Sequence, residues 1–336
     1  MLTPRATPHP LPRQVIRAPN HLGDLVLALP ALSASRGADI LVTRRLIPVL
    51  ELSGSQGQIL PFDRGAAGFL RAVRVLRRGR YDKAILLTPS FSSALVFRSA
   101  GIPARRGTAT DRRSTLLTDQ VSLQRFTGLH RSTAYFVLVT GGIPTQTPAP
   151  RIEIPATLQE RWRALSGLAP GGIGIFPGSH AASRRWPPER FHELTRRLVD
   201  HGQRVVVLGG PAELSLTAQV GAGGGFDAGG KTDLPLLAAA LADCALLVTN
   251  DSGPLHLAAA VGTPTVSLWG AGDPQITGPV GKRHRLLRHP ELPCVPCVLN
   301  ECPRHGKGTQ LPEAERECLA LISVDEVERA VVEAVK

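Results

Sequence analysis

The feature that most restricts how this chain can fold is its regular alternation of short β-rich runs with helical patterns. In the first half QVIRA leads into a helix after Asp24, ADILVT into RRLIPVLEL, GQILPF into AAGFLRAVRVLRRG, and DKAILLTP into SSALVFRSA. The second half repeats the scheme. GGIGIFPG precedes PPERFHELTRRLVDHG, RVVVLGG runs into a glycine turn, and LPLLAAALADC, ALLVTN, SGPLHLAAAVG and TPTVSLWG read as helix, strand, helix and strand. Strands separated by helices form parallel sheets covered on both faces. At 336 residues the chain is also longer than one core usually supports. The stretch GGIPTQTPAP, residues 141–150, lacks periodicity and separates the two series. The expected class is α/β, with an extension at 1–13, one domain at 14–145, a second at 146–336 whose last helix is free to pack back on the first, and a cleft between them.

The apolar fraction of 43% with 20% charged residues, and the lack of any apolar run near membrane-spanning length, point to a soluble protein. Prolines at 4, 8, 10 and 12 make the N-terminus unlike a secretion signal, so a mobile extension of a cytoplasmic protein is expected. Five cysteines do not make a disulfide framework. Four of them, Cys294, Cys297, Cys302 and Cys318, have C-x2-C-x4-C-x15-C spacing, which suits zinc or, equally, a proline-shaped loop of reduced thiols. Cys244 reads as core. The charge is lopsided: residues 1–150 hold 20 Lys+Arg against 7 Asp+Glu, and the remainder 19 against 20. The first half should therefore attract an anionic partner.

Three strand ends in the second half carry residues suited to a phosphorylated ligand. In LLVTNDSGPLHLAAAVGTPTV a buried strand ends at Thr249, Asn250 and Asp251, and Ser252 with Gly253 opens a helix. Free N–H groups and a positive helix end then lie where open α/β sheets bind ligands. Capping alone would explain Asp251 or Ser252 but not His256, one turn later. In FPGSHAASRRWPPERF, Ser179 and Arg184 suit phosphate oxygens, one of Arg184 and Arg185 is read as a surface charge only, and Trp186 as packing. Glu213, after VLGGP, is either a ribose-binding acid or a helix-start acid. Thr232 and Leu234 are candidates for a base pocket. No G-x-G-x-x-G with a following acid and no G-x-x-x-x-G-K-[ST] is found, which argues against NAD and P-loop chemistry. In the first half, Asp24 of NHLGDLVLALPAL is by itself as well explained as a helix-start acid, and Pro30 is expected to bend or end that helix.

Taken in order, NHLGDLVLALPAL, PGSHAASRRWP, GGPAE and VTNDSGPLHLAAAVGTPTVSLWG resemble glycosyltransferase family 9, the bacterial heptosyltransferases that build the lipopolysaccharide inner core from ADP-heptose. The likeness runs from about residue 14 to the end, and RYDKAILLTPSFSSALVFRSAGIPARRG resembles the heptosyltransferase II branch. The resemblance implies a GT-B fold: two Rossmann-like domains with parallel sheets facing a central cleft, acceptor on the first and nucleotide sugar on the second. It implies Asp24 as catalytic base, Arg184 at a phosphate-binding position that is commonly lysine, Glu213 on ribose, and Asp251, Ser252, Gly253 and His256 as the donor loop. Asn20 and Gly23 would lie beside the acceptor.

The reaction implied is inverting transfer of heptose with ADP as leaving group and no cofactor or metal. The basic half fits a phosphorylated, lipid-linked oligosaccharide at the inner membrane, with Arg105, Arg106, Arg112 and Arg113 as the expected patch on a monomeric, cytoplasmic, peripheral enzyme. A GT-B enzyme using another nucleotide sugar and acceptor, or an epimerase, is the alternative. A nucleic-acid binder would share the charge, but the chain has no such motif and only 4% aromatic residues for stacking.

Overall fold

The computed structural model describes residues 13–302 and 317–335; the expected extension, apart from Arg13, lies outside them. The first domain comprises β1 (Gln14–Arg17), α1 (Leu22–Ala34), β2 (Asp39–Thr43), α2 (Ile47–Leu52), β3 (Ile59–Phe62), α3 (Gly65–Gly79), β4 (Lys83–Leu86), α4 (Phe91–Ser99), β5 (Ala104–Thr108), β6 (Asp119–Val121) and α5 (Arg131–Thr140). The second comprises α6 (Ala156–Ser166), β7 (Gly172–Phe176), α7 (Pro188–Asp200), β8 (Val205–Val207), α8 (Leu214–Gly221), β9 (Phe226–Asp227), α9 (Leu234–Asp243), β10 (Cys244–Asn250), α10 (Gly253–Val261), β11 (Thr265–Leu268), α11 (Pro274–Thr277), β12 (His284–Leu287), α12 (Glu317–Ala320) and α13 (Val324–Val335).

Each domain has a six-stranded sheet, ordered β3-β2-β1-β4-β5-β6 and β12-β11-β10-β7-β8-β9, and the paired strands are parallel throughout. β2 and β7 are buried along their whole length, as strands covered on both faces must be. Strand order reverses at β1/β4 in one sheet and at β7/β10 in the other. Crevices open at the carboxyl ends of strands at such reversals, and the two crevices face each other.

α1 departs from expectation in two ways. It starts at Leu22, so Gly23 and Asp24 lie inside its first turn, and it continues through Pro30 to Ala34. A helix-interior proline costs about 3 kcal/mol, here by removing the bond to the Val26 carbonyl. Leu25, Val26, Leu27, Leu29 and Leu32 are all buried on this helix, and each such side chain contributes about 1.5–3 kcal/mol. Packing therefore outweighs the break. α1 lies against α5 in its own domain and α10 in the other. One apolar cluster consequently runs through both domains, from Ile16 and Leu25 to Leu257 and Ala258. α13, which the sequence left free to pack back on the first domain, instead lies on α7 and on β10 to β12, with Val327 and Val331 in the second domain's outer core.

Candidate active site

The loop between β1 and α1 is set by a buried arginine. Arg17 is 2% exposed and donates to the Ala18 and Leu41 carbonyls and to Asn20 Oδ1, which fixes the turn that leads to Asp24. Burial lowers its pKa to about 10, still far above neutral. Asp24 then projects from the first turn of α1, where the helix dipole favours a carboxylate. Tyr135 of α5, itself buried, donates its hydroxyl to Asp24 Oδ1 at 3.2 Å. Burial and the adjacent Asp24 raise the phenol's pKa, so it stays a donor.

Across the cleft, β7 and β10 deliver two loops that brace one another. Asn250 accepts from the Trp186 backbone N–H at 2.9 Å and donates to the Pro177 carbonyl at 2.7 Å. The Ser179 hydroxyl donates to the Asp251 carbonyl at 3.2 Å. Trp186 is buried, donates its indole N–H to the Ile322 carbonyl, and packs edge-on against Phe191, so its part is structural. Arg185, expected to be a surface charge if Arg184 were not, donates its Nε to the Ser179 carbonyl at 2.8 Å and shapes the loop. Arg184 turns into the cleft and pairs with Asp251 Oδ2 at 3.0 Å. Asp251 is 3% exposed; burial raises its pKa to about 6, with Arg184 lowering it and Asp24 raising it further. His256 is buried and held neutral, its pKa lowered to about 3 chiefly by burial. Apart from the Arg184–Asp251 ion pair, whose geometry is not that of a hydrogen bond, Arg184 Nε, Asp251 Oδ2 and His256 Nδ1 are buried without a hydrogen-bond partner among the described residues.

Two cavities of about 540 Å³ each meet at Asp24. One is lined by Ser179, Arg184, Asp251, Ser252, Gly253 and His256. The other, more apolar, is lined by Asn20, Leu87, Leu123, Phe126, Leu129 and Tyr135. His21, Asp24, Arg131 and Ile276 border both. Gly23 packs against the His256 ring and Gly253 against Leu22, so the two helix starts touch across the cleft.

Other sequence candidates lie elsewhere. Glu213 sits with its carboxylate against Gly178 and accepts from the Gly210 N–H at 2.8 Å, at the edge of the β7 loop and outside the cavity lining. Thr232 and Leu234, at the start of α9, do not line the cavity either; Leu234 packs on the core. The expected arginine patch does not exist as a surface. Arg113 is 0% exposed, its guanidinium spent on the Thr88 and Thr108 carbonyls, and burial lowers its pKa to about 10. Arg105 is 7% exposed and donates to the carbonyls of Ile102, Pro103 and Leu116. Arg106 pairs with Asp119 and donates to the Leu138 carbonyl. Of the four only Arg112 is exposed and without such anchors. The cause is that Arg105 and Arg106 belong to β5, an inner strand of the sheet, rather than to a loop.

Among the described residues no group of three or more His, Cys, Asp or Glu is arranged to hold a metal; the four late cysteines nonetheless lie near one another, burial and then Cys294, Cys297 and Cys302 raising the Cys318 pKa to about 11. Their segment has another consequence. The Val298 N–H bonds the Ala271 carbonyl, and Ser183 donates to the Leu299 carbonyl, so that Val298 and Asn300 wall the Arg184 cavity. Sequence reasoning missed this wall, and also His21, His180, Arg131 and Tyr135. His21 and His180 face each other across the cleft, ring centroids 6.1 Å apart.

A family model described as glycosyltransferase family 9 (heptosyltransferase) matches residues 69–307. The chain is 31% identical over 232 residues to lipopolysaccharide heptosyltransferase 2 of Escherichia coli K12, covering 63% of this chain and 66% of that protein. It is 30% identical to the Salmonella typhimurium protein of the same name over the same shares. The alignment thus spans just under two thirds of these relatives. In three dimensions the chain resembles E. coli ADP-heptose lps heptosyltransferase II, with a TM-score of 0.81 at 23% identity over 96% of this chain and 98% of that one. It also resembles a family 9 glycosyl transferase from Veillonella parvula, with a TM-score of 0.80 at 24% identity over 97% of each. The fold is GT-B, and the chain belongs to glycosyltransferase family 9.

Proposed function

We propose that the protein moves heptose from ADP-heptose to an inner-core lipopolysaccharide acceptor with inversion at the anomeric carbon. The observation that carries this reading is the place of Asp24: among the described residues it is the one carboxylate that lines both cavities. The donor occupies the Arg184 cavity and the acceptor the more apolar one. Asp24 accepts the proton of the acceptor hydroxyl as that oxygen bonds to the anomeric carbon, and the bond to ADP breaks on the opposite face. The electron pair goes to the diphosphate, where Arg184 and the free N–H groups at the start of α10 stabilise it without a divalent ion. Asp251, ionised above its pKa near 6, favours the oxocarbenium-like centre. Neutral His256 offers a hydrogen bond without adding charge.

The likeness to lipopolysaccharide heptosyltransferases supports the acceptor class, and the likeness to an ADP-heptose heptosyltransferase supports the donor. On this reading a monomeric enzyme works at the cytoplasmic face of the inner membrane, where a lipid-linked acceptor would be met; no helix among the described residues is long and apolar enough to cross it. The test is turnover of purified protein with ADP-heptose and with UDP-, GDP- and CMP-sugars on a lipid-anchored inner-core acceptor, read by mass spectrometry. One heptose added from ADP-heptose is expected. Product only with a different nucleotide would overturn the donor assignment and leave the fold standing.

A further inference from the structure

We propose that the outward face of α3 is a docking surface for a bilayer bearing anionic phospholipid headgroups. The idea rests on the lipid-anchored acceptor of the reading above and adds which element meets the lipid. α3, GAAGFLRAVRVLRRG, contains four arginines and no carboxylate. Its inner face, with Gly68, Ala72, Val73 and Leu76, is buried in the first domain's outer core. On the other side Arg71, Arg74, Arg77 and Arg78 are exposed, and between them stand Leu70 at 63% and Val75 at 39% exposure.

A solvated helix usually mixes charge signs on its free face, because like charges three and four residues apart repel. Here Arg71–Arg74, Arg74–Arg77 and Arg74–Arg78 are all such pairs. The nearby carboxylate, Asp63, is shared by Arg44 and Arg71, which leaves Arg74, Arg77 and Arg78 without an acidic partner among the described residues. A row of guanidinium groups with exposed leucine and valine between them matches a headgroup layer over acyl chains. It lacks the aromatic platform that single-stranded nucleic acid would use. α3 packs beside α4 on the same side of the sheet. At the start of α4, Phe91 is 41% exposed, and it follows shortly after Pro89, which borders the acceptor cavity together with the 56% exposed Leu123. The acceptor's mouth lies at the start of α4, whereas Arg77 donates to the Ser99 carbonyl at that helix's other end, so α3 carries its charge along the same helical layer, away from the mouth.

The experiment is flotation of the full chain with phosphatidylcholine vesicles, with and without phosphatidylglycerol. Binding should require the anionic lipid and weaken with salt. Arg74→Gln with Arg78→Gln should lower the partition coefficient about 25-fold, about fivefold per charge. Arg161→Gln with Lys282→Gln, the same loss of charge from exposed sites of the second domain, should change it little. Turnover on a detergent-solubilised acceptor should be unchanged in both doubles. Equal loss in the two doubles, or equal binding to neutral and anionic vesicles, would overturn the assignment to α3. Vesicle binding needs neither donor nor acceptor, so transfer without α3-dependent binding refutes this inference alone, and binding without transfer refutes only the reading of the reaction.

Discussion

The Tyr135 hydroxyl lies 3.2 Å from Asp24 Oδ1, and burial leaves it little alternative to donating there. Such a bond fixes which way the carboxylate faces. Tyr135→Phe should therefore reduce kcat about 10- to 100-fold through misplacement of the base with little change in donor KM. Added to Asp24→Asn it should cost almost nothing more, since both act on the same proton transfer; additive losses would show that Tyr135 acts elsewhere. Asp251 is held in the fold against its own preference. Its folded pKa, about 6, lies well above the usual carboxylate range near 4, so the native state holds the proton more tightly. The stability linked to that proton is present below about pH 4 and lost as pH rises through about 6. Asp251→Asn should then stabilise the protein by about 1–3 kcal/mol at neutral pH and by nothing near pH 4, while turnover falls. Equal denaturation midpoints at neutral pH would contradict this. Residue chemistry was only partly legible in the sequence. Arg184 could be picked out because a strand end and a helix start bracket it. Arg105 and Arg113 could not be told from ligand arginines, because carbonyls from distant turns, such as that of Thr88, neutralise their donor capacity. Tyr135 is 111 residues from Asp24, and no local pattern links them.

At the scale of elements, the cleft depends on two helix starts that touch through glycine. A Cβ on Gly23 would lie 2.7 Å from His256 Cδ2, and one on Gly253 would lie 3.0 Å from Leu22 Cβ. Both distances are too short for ordinary contact, and buried His256 has little room to retreat. Gly23→Ala should destabilise the protein by about 1–3 kcal/mol, the usual cost of overpacking. Pairing it with His256→Ala should restore the melting temperature but not turnover, because His256 lines the donor cavity. A melting temperature that stays low in the double variant would place the strain somewhere else. Most strands and helices of both sheets were legible because parallel sheets with crossover helices write their periods directly into the chain, whereas β5, β6 and β12 were not read as strands. The course of α1 was not. Pro30 is a local breaker, and what overrides it is burial against α5 and α10, contacts that a linear reading does not contain.

At the scale of the molecule, two sheets of the same strand order face each other across one cleft, and an apolar cluster continuous through both domains holds them together. The charge asymmetry seen in the sequence survives, but its location changed. The arginines expected to receive the acceptor are largely internal, whereas four exposed arginines stand together on α3. That distinction depends on which face of each element is covered, which follows from packing and not from residue counts. The central claim is that the cleft joins a donor site on the second domain to a base on the first. It is tested most directly by measuring turnover and ADP affinity together in Asp24→Asn, which keeps the shape of the side chain. The account predicts turnover lower by about two to four orders of magnitude with ADP binding nearly unchanged. Turnover close to that of the wild type would contradict it.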